Sequence, residues 1–201
     1  MPIDSNQFTP TRAQINDAEA ISYAFDMLMS ERYFIEIVRV SAVRGDAPNL
    51  VIDAMPLVMR TDRSGAPIQN SVLYDIPVFR LQRGSSAIIM NPVVGDIGMI
   101  AICDRDTTLV RANRKESVPG SGRKHSKSDA LYLGGFLNDQ PTEYVEFTSS
   151  GINIKSPGTV NINGLKILSD GRLQLADGSI VDAHTHGGVS PGGSNTAPLE
   201  P

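Results

Sequence analysis

The feature that most constrains this chain is a glycine-punctuated repeat near its C-terminal end. Gly151, Gly158, Gly164, Gly171 and Gly178 fall seven, six, seven and seven residues apart. Between them lie alternating apolar pairs, Ile152/Ile154, Val160/Ile162, Leu165/Ile167 and Leu173/Leu175, followed by Ile180. Asn, Lys, Arg and Gln occupy the intervening positions. Each unit predicts a strand of four or five residues closed by a turn, and Ser-Pro-Gly, Ser-Asp-Gly and Ala-Asp-Gly are favourable turn sequences. A period of two gives such strands one apolar face and one wet face.

Composition decides what can bury the apolar face. All eleven Phe and Tyr residues lie at or before Phe147, and Trp is absent. The last 54 residues hold nine of the eighteen glycines and no aromatic side chain. A segment this small is marginal by itself, and an open meander would leave a sheet edge prone to aggregation. Three copies wound about a common axis would meet through their aliphatic faces, with strands pairing between chains and the polar side chains in water. A trimeric β-helix shaft is therefore expected over 146–182, in preference to a monomeric solenoid.

Directly after the repeat comes Asp182-Ala183-His184-Thr185-His186. On a strand, the i, i+2 spacing places His184 and His186 on one face. If that face points at a three-fold axis, three chains supply six imidazole nitrogens, an octahedral donor set suited to a first-row metal such as Fe(II) rather than tetrahedral Zn. The plain alternative is a pair of exposed histidines in a Gly/Pro/Ser-rich tail. The segment Ser179 to His186 also resembles the metal-binding strand that opens amidohydrolase barrels. Only fifteen residues follow His186, and His125 is the one other histidine, so the remaining ligands and the barrel have no residues to form from.

The preceding residues change period twice. Thr9-Pro10 is a good helix start, and Ile15, Ala18, Ile21, Phe25, Leu28 and Met29 predict an amphipathic helix over about 12–31 within an N-terminal segment 1–32. Acidic residues outweigh basic ones there, which disfavours a membrane-surface helix. From Tyr33 five or six short strands follow, 34–40, 50–55, 72–73, 76–79, 86–90 and 97–103, separated by Gly and Pro turns, with Val58-Met59-Arg60 leading into a turn at Asp62-Arg63-Ser64-Gly65. Their number and length suit a small OB-type barrel over 33–110. Residues 111–145 are expected as a polar connector with Gly134-Gly135 as a turn or linker. Its cluster of Arg111, Arg114, Lys115, Arg123, Lys124 and Lys127 reads either as a solvated surface or as a nucleic-acid footprint. The fold class is thus all-β with an N-terminal helix.

Bulk properties exclude several classes. The formal charge is −4 and 40% of residues are hydrophobic, ordinary values for a globular protein. No stretch approaches the roughly 20 apolar residues of a membrane span, and the first ten residues lack an export-signal pattern. Cys103 is the single cysteine, which forbids an intrachain disulfide and a multi-Cys zinc site. The chain is expected to fold in a reducing cytosol. No phosphate loop, nucleophile elbow or positioned carboxylate pair occurs, so no enzyme activity is expected.

The order of these parts resembles the central spike proteins of contractile-tail phages. Ile76-Pro77-Val78-Phe79, Gly84, Asn91 to Gly98, Arg123 to Ala130 and Gly134-Gly135 are similar to that family's N-terminal OB domain and its exit; His184-Thr185-His186 after a glycine-punctuated repeat is similar to its apex. The resemblance implies a homotrimer attached to the tail hub, with an intertwined triple-stranded β-helix. Its pointed apex, 183–201, would hold one iron ion through His184 and His186 of three chains. It implies a place in the virion, at the baseplate tip, and passage through the bacterial outer membrane on sheath contraction. Related spikes of secretion or bacteriocin assemblies, and a nucleic-acid-binding OB protein, are the alternatives.

Overall fold

A computed structural model describes residues 16–30, 32–46, 49–62 and 64–181. The chain divides into two compact units, Met1–Asn138 and Asp139–Pro201. The architecture is mostly strand with few helices.

Helix α1 spans Asp17–Ser30. It starts where Asn16 Oδ1 accepts the Glu19 backbone N–H at 3.0 Å, satisfying one of the helix's unpaired donors. The expected start at Thr9-Pro10 lies outside the described residues.

The main sheet of the first unit is built from β1 (Ile35–Arg44), β2 (Val51–Pro56), β5 (Leu73–Pro77), β8 (Ile97–Ile102) and β9 (Ala130–Gly135). Two short hairpins interrupt this series, β3–β4 (Arg60–Thr61 with Pro67–Ile68) and β6–β7 (Leu81–Arg83 with Ser86–Ile88). Sheet order is β5-β2-β1-β8-β9, with every neighbouring pair antiparallel. Ten-residue β1 pairs with β2 on one side and β8 on the other, and a bulge between Val40 and Ala42 increases its twist. The sheet curls far enough for its edges to meet. Val78, just past β5, bridges Tyr132 of β9 in parallel, and the Phe79 N–H donates to the Tyr132 carbonyl at 2.8 Å.

Alternation in the strands turns Val38, Val40, Ile52, Ala54, Ile76, Ile100, Ile102, Ala130 and Tyr132 into one buried core. Each large aliphatic there contributes roughly 1.5–3 kcal/mol of burial. Tyr132 is the only aromatic among these nine, and Gly98 makes room for it: a Cβ on Gly98 would collide with the Tyr132 ring and the Gly134 carbonyl. Here the structure departs from the expected boundaries. Residues 130–135 belong to the sheet rather than to a connector, and Gly134 sits at φ 125° beside a register shift. What looked like a glycine linker is the irregular end of the fifth sheet strand, which only Gly can form.

The second unit contains the hairpin β10–β11 (Tyr144–Thr148, Gly151–Lys155) and the three-stranded meander β12–β13–β14 (Val160–Ile162, Leu165–Ile167, Leu173–Gln174). Its turns explain the glycine spacing. Asn163 and Gly164, at φ 50° and 94°, form the two-residue turn that matches strand twist. Gly171 and Gly178 close two equivalent turns, their N–H groups donating to Leu168 and Leu175 carbonyls at 2.9 and 3.0 Å. In the same turns Asp170 and Asp177 accept the backbone N–H of Arg172 and Ser179 at 3.1 and 2.9 Å. Within the chain the ladder bonds run between sequence neighbours.

Candidate functional site

The repeat strands sort their side chains cleanly by face. Val145 opposes Ile154 and Phe147 opposes Ile152. Val160 opposes Ile167, Ile162 opposes Leu165, and Ile167 also opposes Leu173. Directly opposed residues lie on the same face of an antiparallel pair, so each small sheet has a continuous aliphatic side. On the other side are Glu146 opposite Asn153, which are hydrogen-bonded at 3.0 Å, and Asn161, Lys166 and Gln174 in a row. The apolar side is only partly buried by its own unit: Val160 and Leu165 are half-buried, whereas Ile152, Ile154, Ile162, Ile167 and Leu173 are exposed and Phe147 reaches 78%. A row of this length left in water is the mark of an interaction surface.

The last ladder contact of the repeat is the bridge between Gln174 and Ile180. His184 and His186, the expected metal ligands, lie outside the described residues, as does the apex 183–201. Among the described residues no group of three or more His, Cys, Asp or Glu side chains could hold a metal ion. As a donor set the pair suits a shared ion better than a private one. One chain offers two imidazoles, too few for a saturated site, and three chains offer six.

His125 belongs to the first unit and is engaged there. Its Nε2 lies 2.9 Å from Asp104 Oδ1, and its ring packs 4.7 Å from that of Phe34. The basic segment around it is partly consumed by similar contacts. Lys127 Nζ lies 2.7 Å from Glu36 Oε1 and over the Tyr33 ring.

Arg123 has a larger structural task, which sequence reading did not find. Asp106 and Asp129 are both buried, and Arg123 bridges them: Nη2 is 3.1 Å from Asp106 Oδ2 and Nε is 3.2 Å from Asp129 Oδ2. Asp106 also accepts from Ser121 Oγ at 2.6 Å and the Thr108 N–H at 2.9 Å. Asp129 accepts the Thr107 N–H at 2.9 Å. The Ser121 and Thr108 hydrogen bonds, aided by Arg123, hold the Asp106 carboxyl at a pKa of about 2. This network ties the start of short helix α2 (Thr108–Asn113) and the Ser121–Arg123 turn to Asp129, directly before β9. The only sequence hint is the pair of Asp residues flanking a polar run, a weak signal because the partners are far apart in the chain.

A second buried carboxylate is handled in the same way. Asp53 on β2 pairs with Arg44 at the end of β1, and it accepts the Asp75 N–H at 3.1 Å. Asp75 takes φ 58° there, which brings its backbone N–H to the carboxylate and its own carboxylate to 2.7 Å from Arg44. Both Arg clamps satisfy buried charge, as a folded interior requires.

Among the described residues no helix is long and apolar enough to cross a membrane. No family model matches the chain, and no curated protein matches it.

Proposed function

We propose that this chain is the central spike of a contractile phage tail baseplate, a non-enzymatic trimer that pierces the bacterial outer membrane when the sheath contracts. One observation carries the reading: the repeat presents a regular aliphatic face that a single chain leaves in water. Burying that face against two further copies removes it from solvent without needing any large side chain. A narrow, stiff shaft is the result, and force applied along it is concentrated on a small area of membrane.

The first unit supports the same reading. Its curled antiparallel sheet, with a parallel contact between the end of β5 and β9, supports an OB-type barrel, the module expected to attach to the tail hub. A nucleic-acid role is less well supported, because Arg123 and Lys127 are engaged within the chain. At the tip, His184 and His186 of three copies would hold the iron ion. Bound there, the metal would cross-link three chain ends and supply rigidity rather than reactivity. The place of action would be the virion, at the baseplate tip.

Sedimentation and metal content measured on one sample test the proposal. A mass three times 21.6 kDa with one iron per three chains is expected. A single-chain mass would overturn the shaft, and a metal-free trimer would overturn the apex. His184→Ala with His186→Ala should remove the metal and keep the trimer, since the aliphatic face supplies most of the burial.

A further inference from the structure

Two surfaces of the first unit stand open together, and their chemistry is complementary. The first is α1. Ile21, Phe25 and Leu28 recur at four and three residues, forming one stripe, and they are 61–69% exposed. The helix carries Asp17, Glu19 and Asp26 and no basic residue. A 14-residue helix is marginal in water without tertiary packing.

The second surface is the connection from β5 to β8. It contains no helix, only the β6–β7 hairpin, in which every residue is exposed. Leu81 opposes Ile88, and Met90 follows at 83% exposure. An isolated two-stranded hairpin is also marginal. Between Val78 and Gly95 the only charged residues are Arg80 and Arg83. An acidic amphipathic helix and a basic apolar hairpin thus each lack a cover that the other would supply.

They do not cover each other within one chain, where both remain exposed. Residues 31–34 tether α1 to β1 with a reach of at most about 14 Å. We infer that α1 of one copy lies across the β6–β7 hairpin of a neighbouring copy, apolar stripe on apolar pair, with Asp17, which flanks the stripe, near Arg80 and Arg83. The contact is heterologous, since different surfaces meet, and it closes into a ring under three-fold rotation. That closure rests on the trimer proposed above; the pairing of the two surfaces does not depend on the shaft or the metal.

Cross-linking of the full chain in a Cys103→Ser background tests the contact. Chains carrying Phe25→Cys are co-expressed with chains carrying Leu81→Cys and mildly oxidised. Adducts that join one chain of each kind are expected, and a chain carrying both substitutions should give products of up to three chains. Arg80→Glu with Arg83→Glu should cut the yield about tenfold, and Asp17→Lys should restore part of it, as expected for charges that meet at an apolar contact. An intrachain bond in the double variant overturns the inference, because α1 then covers its own barrel. Adducts between Phe25→Cys chains alone overturn it in favour of helix–helix pairing. No adduct with the threefold mass intact overturns it and leaves the spike standing, whereas a single-chain mass overturns the spike and the ring with it.

Discussion

The two units use the same material in opposite ways. Both are built from short antiparallel strands with alternating aliphatic residues. In the first, alternation turns nine residues into a closed core that includes Tyr132, and the sheet edges meet at Val78. In the second, the strands pair only with near neighbours and the aliphatic side stays in water. The difference lies in connectivity. Strand β1 finds partners at both edges through long-range pairings, β8 among them, so the sheet can curl over itself. A meander with two- and three-residue turns pairs each strand only with its neighbours in the chain, and such an open row needs another surface to cover it.

The largest expected effect follows from that contrast. Ile162→Asp with Ile167→Asp places two carboxylates on the aliphatic face, and burying them between copies costs at least about 3 kcal/mol per chain. Sedimentation should then give single chains, while the calorimetric transition of the first unit stays where it was. Coincident loss of both would break the distinction between a self-sufficient unit and a dependent one. The reverse experiment is Ile52→Ala, at a site with no solvent exposure. It should destabilise the first unit by about 3 kcal/mol and leave the threefold mass unchanged below its melting temperature.

Smaller effects separate packing from polar support. Arg123→Ala leaves Asp106 and Asp129 short of their shared cation and should cost roughly 2 kcal/mol in the first unit only. Asp106 titrates near 2, below the ordinary value of 3.8, so its contribution is present above about pH 4 and is lost as pH falls through about 2. Ser121→Ala removes its strongest hydrogen bond and should move acid unfolding of the first unit to higher pH, read by circular dichroism. Smallest is Tyr132→Phe. The Tyr132 hydroxyl is buried with no hydrogen-bond partner among the described residues, and burial pushes its pKa up. Removing it should be neutral or stabilising by up to about 1 kcal/mol. A clear drop in melting temperature would reveal a partner for that oxygen.

Much of the fold was legible because it rests on local signals. Val38 and Val40, Ile100 and Ile102, and the repeat pairs announce strands through period-two alternation, and Ser169-Asp170-Gly171 and Ala176-Asp177-Gly178 announce turns through glycine at positive φ. The β9 strand was missed because it follows a long polar run and ends in Gly134-Gly135. Nothing local shows that Gly98, 36 residues earlier, lies against it. The Arg123 clamp was missed for the same reason. Its members are ordinary polar residues until the fold places two buried carboxylates on either side of one guanidinium.

By itself the sequence determined that the chain is β-rich, where its turns fall, and that the residues after Phe147 lack the side-chain volume for a core of their own. It also placed two histidines at i, i+2 beyond the repeat. Those are properties of composition and of neighbours within a few residues, and they survive any arrangement of the chain. Only the tertiary structure decided which strands meet, that β9 completes the curled sheet, and which charged residues are buried and paired. It also decided that α1 and the β6–β7 hairpin stand uncovered in the same unit. Those properties depend on contacts between residues far apart in sequence, whose free energy appears only once the chain has closed on itself.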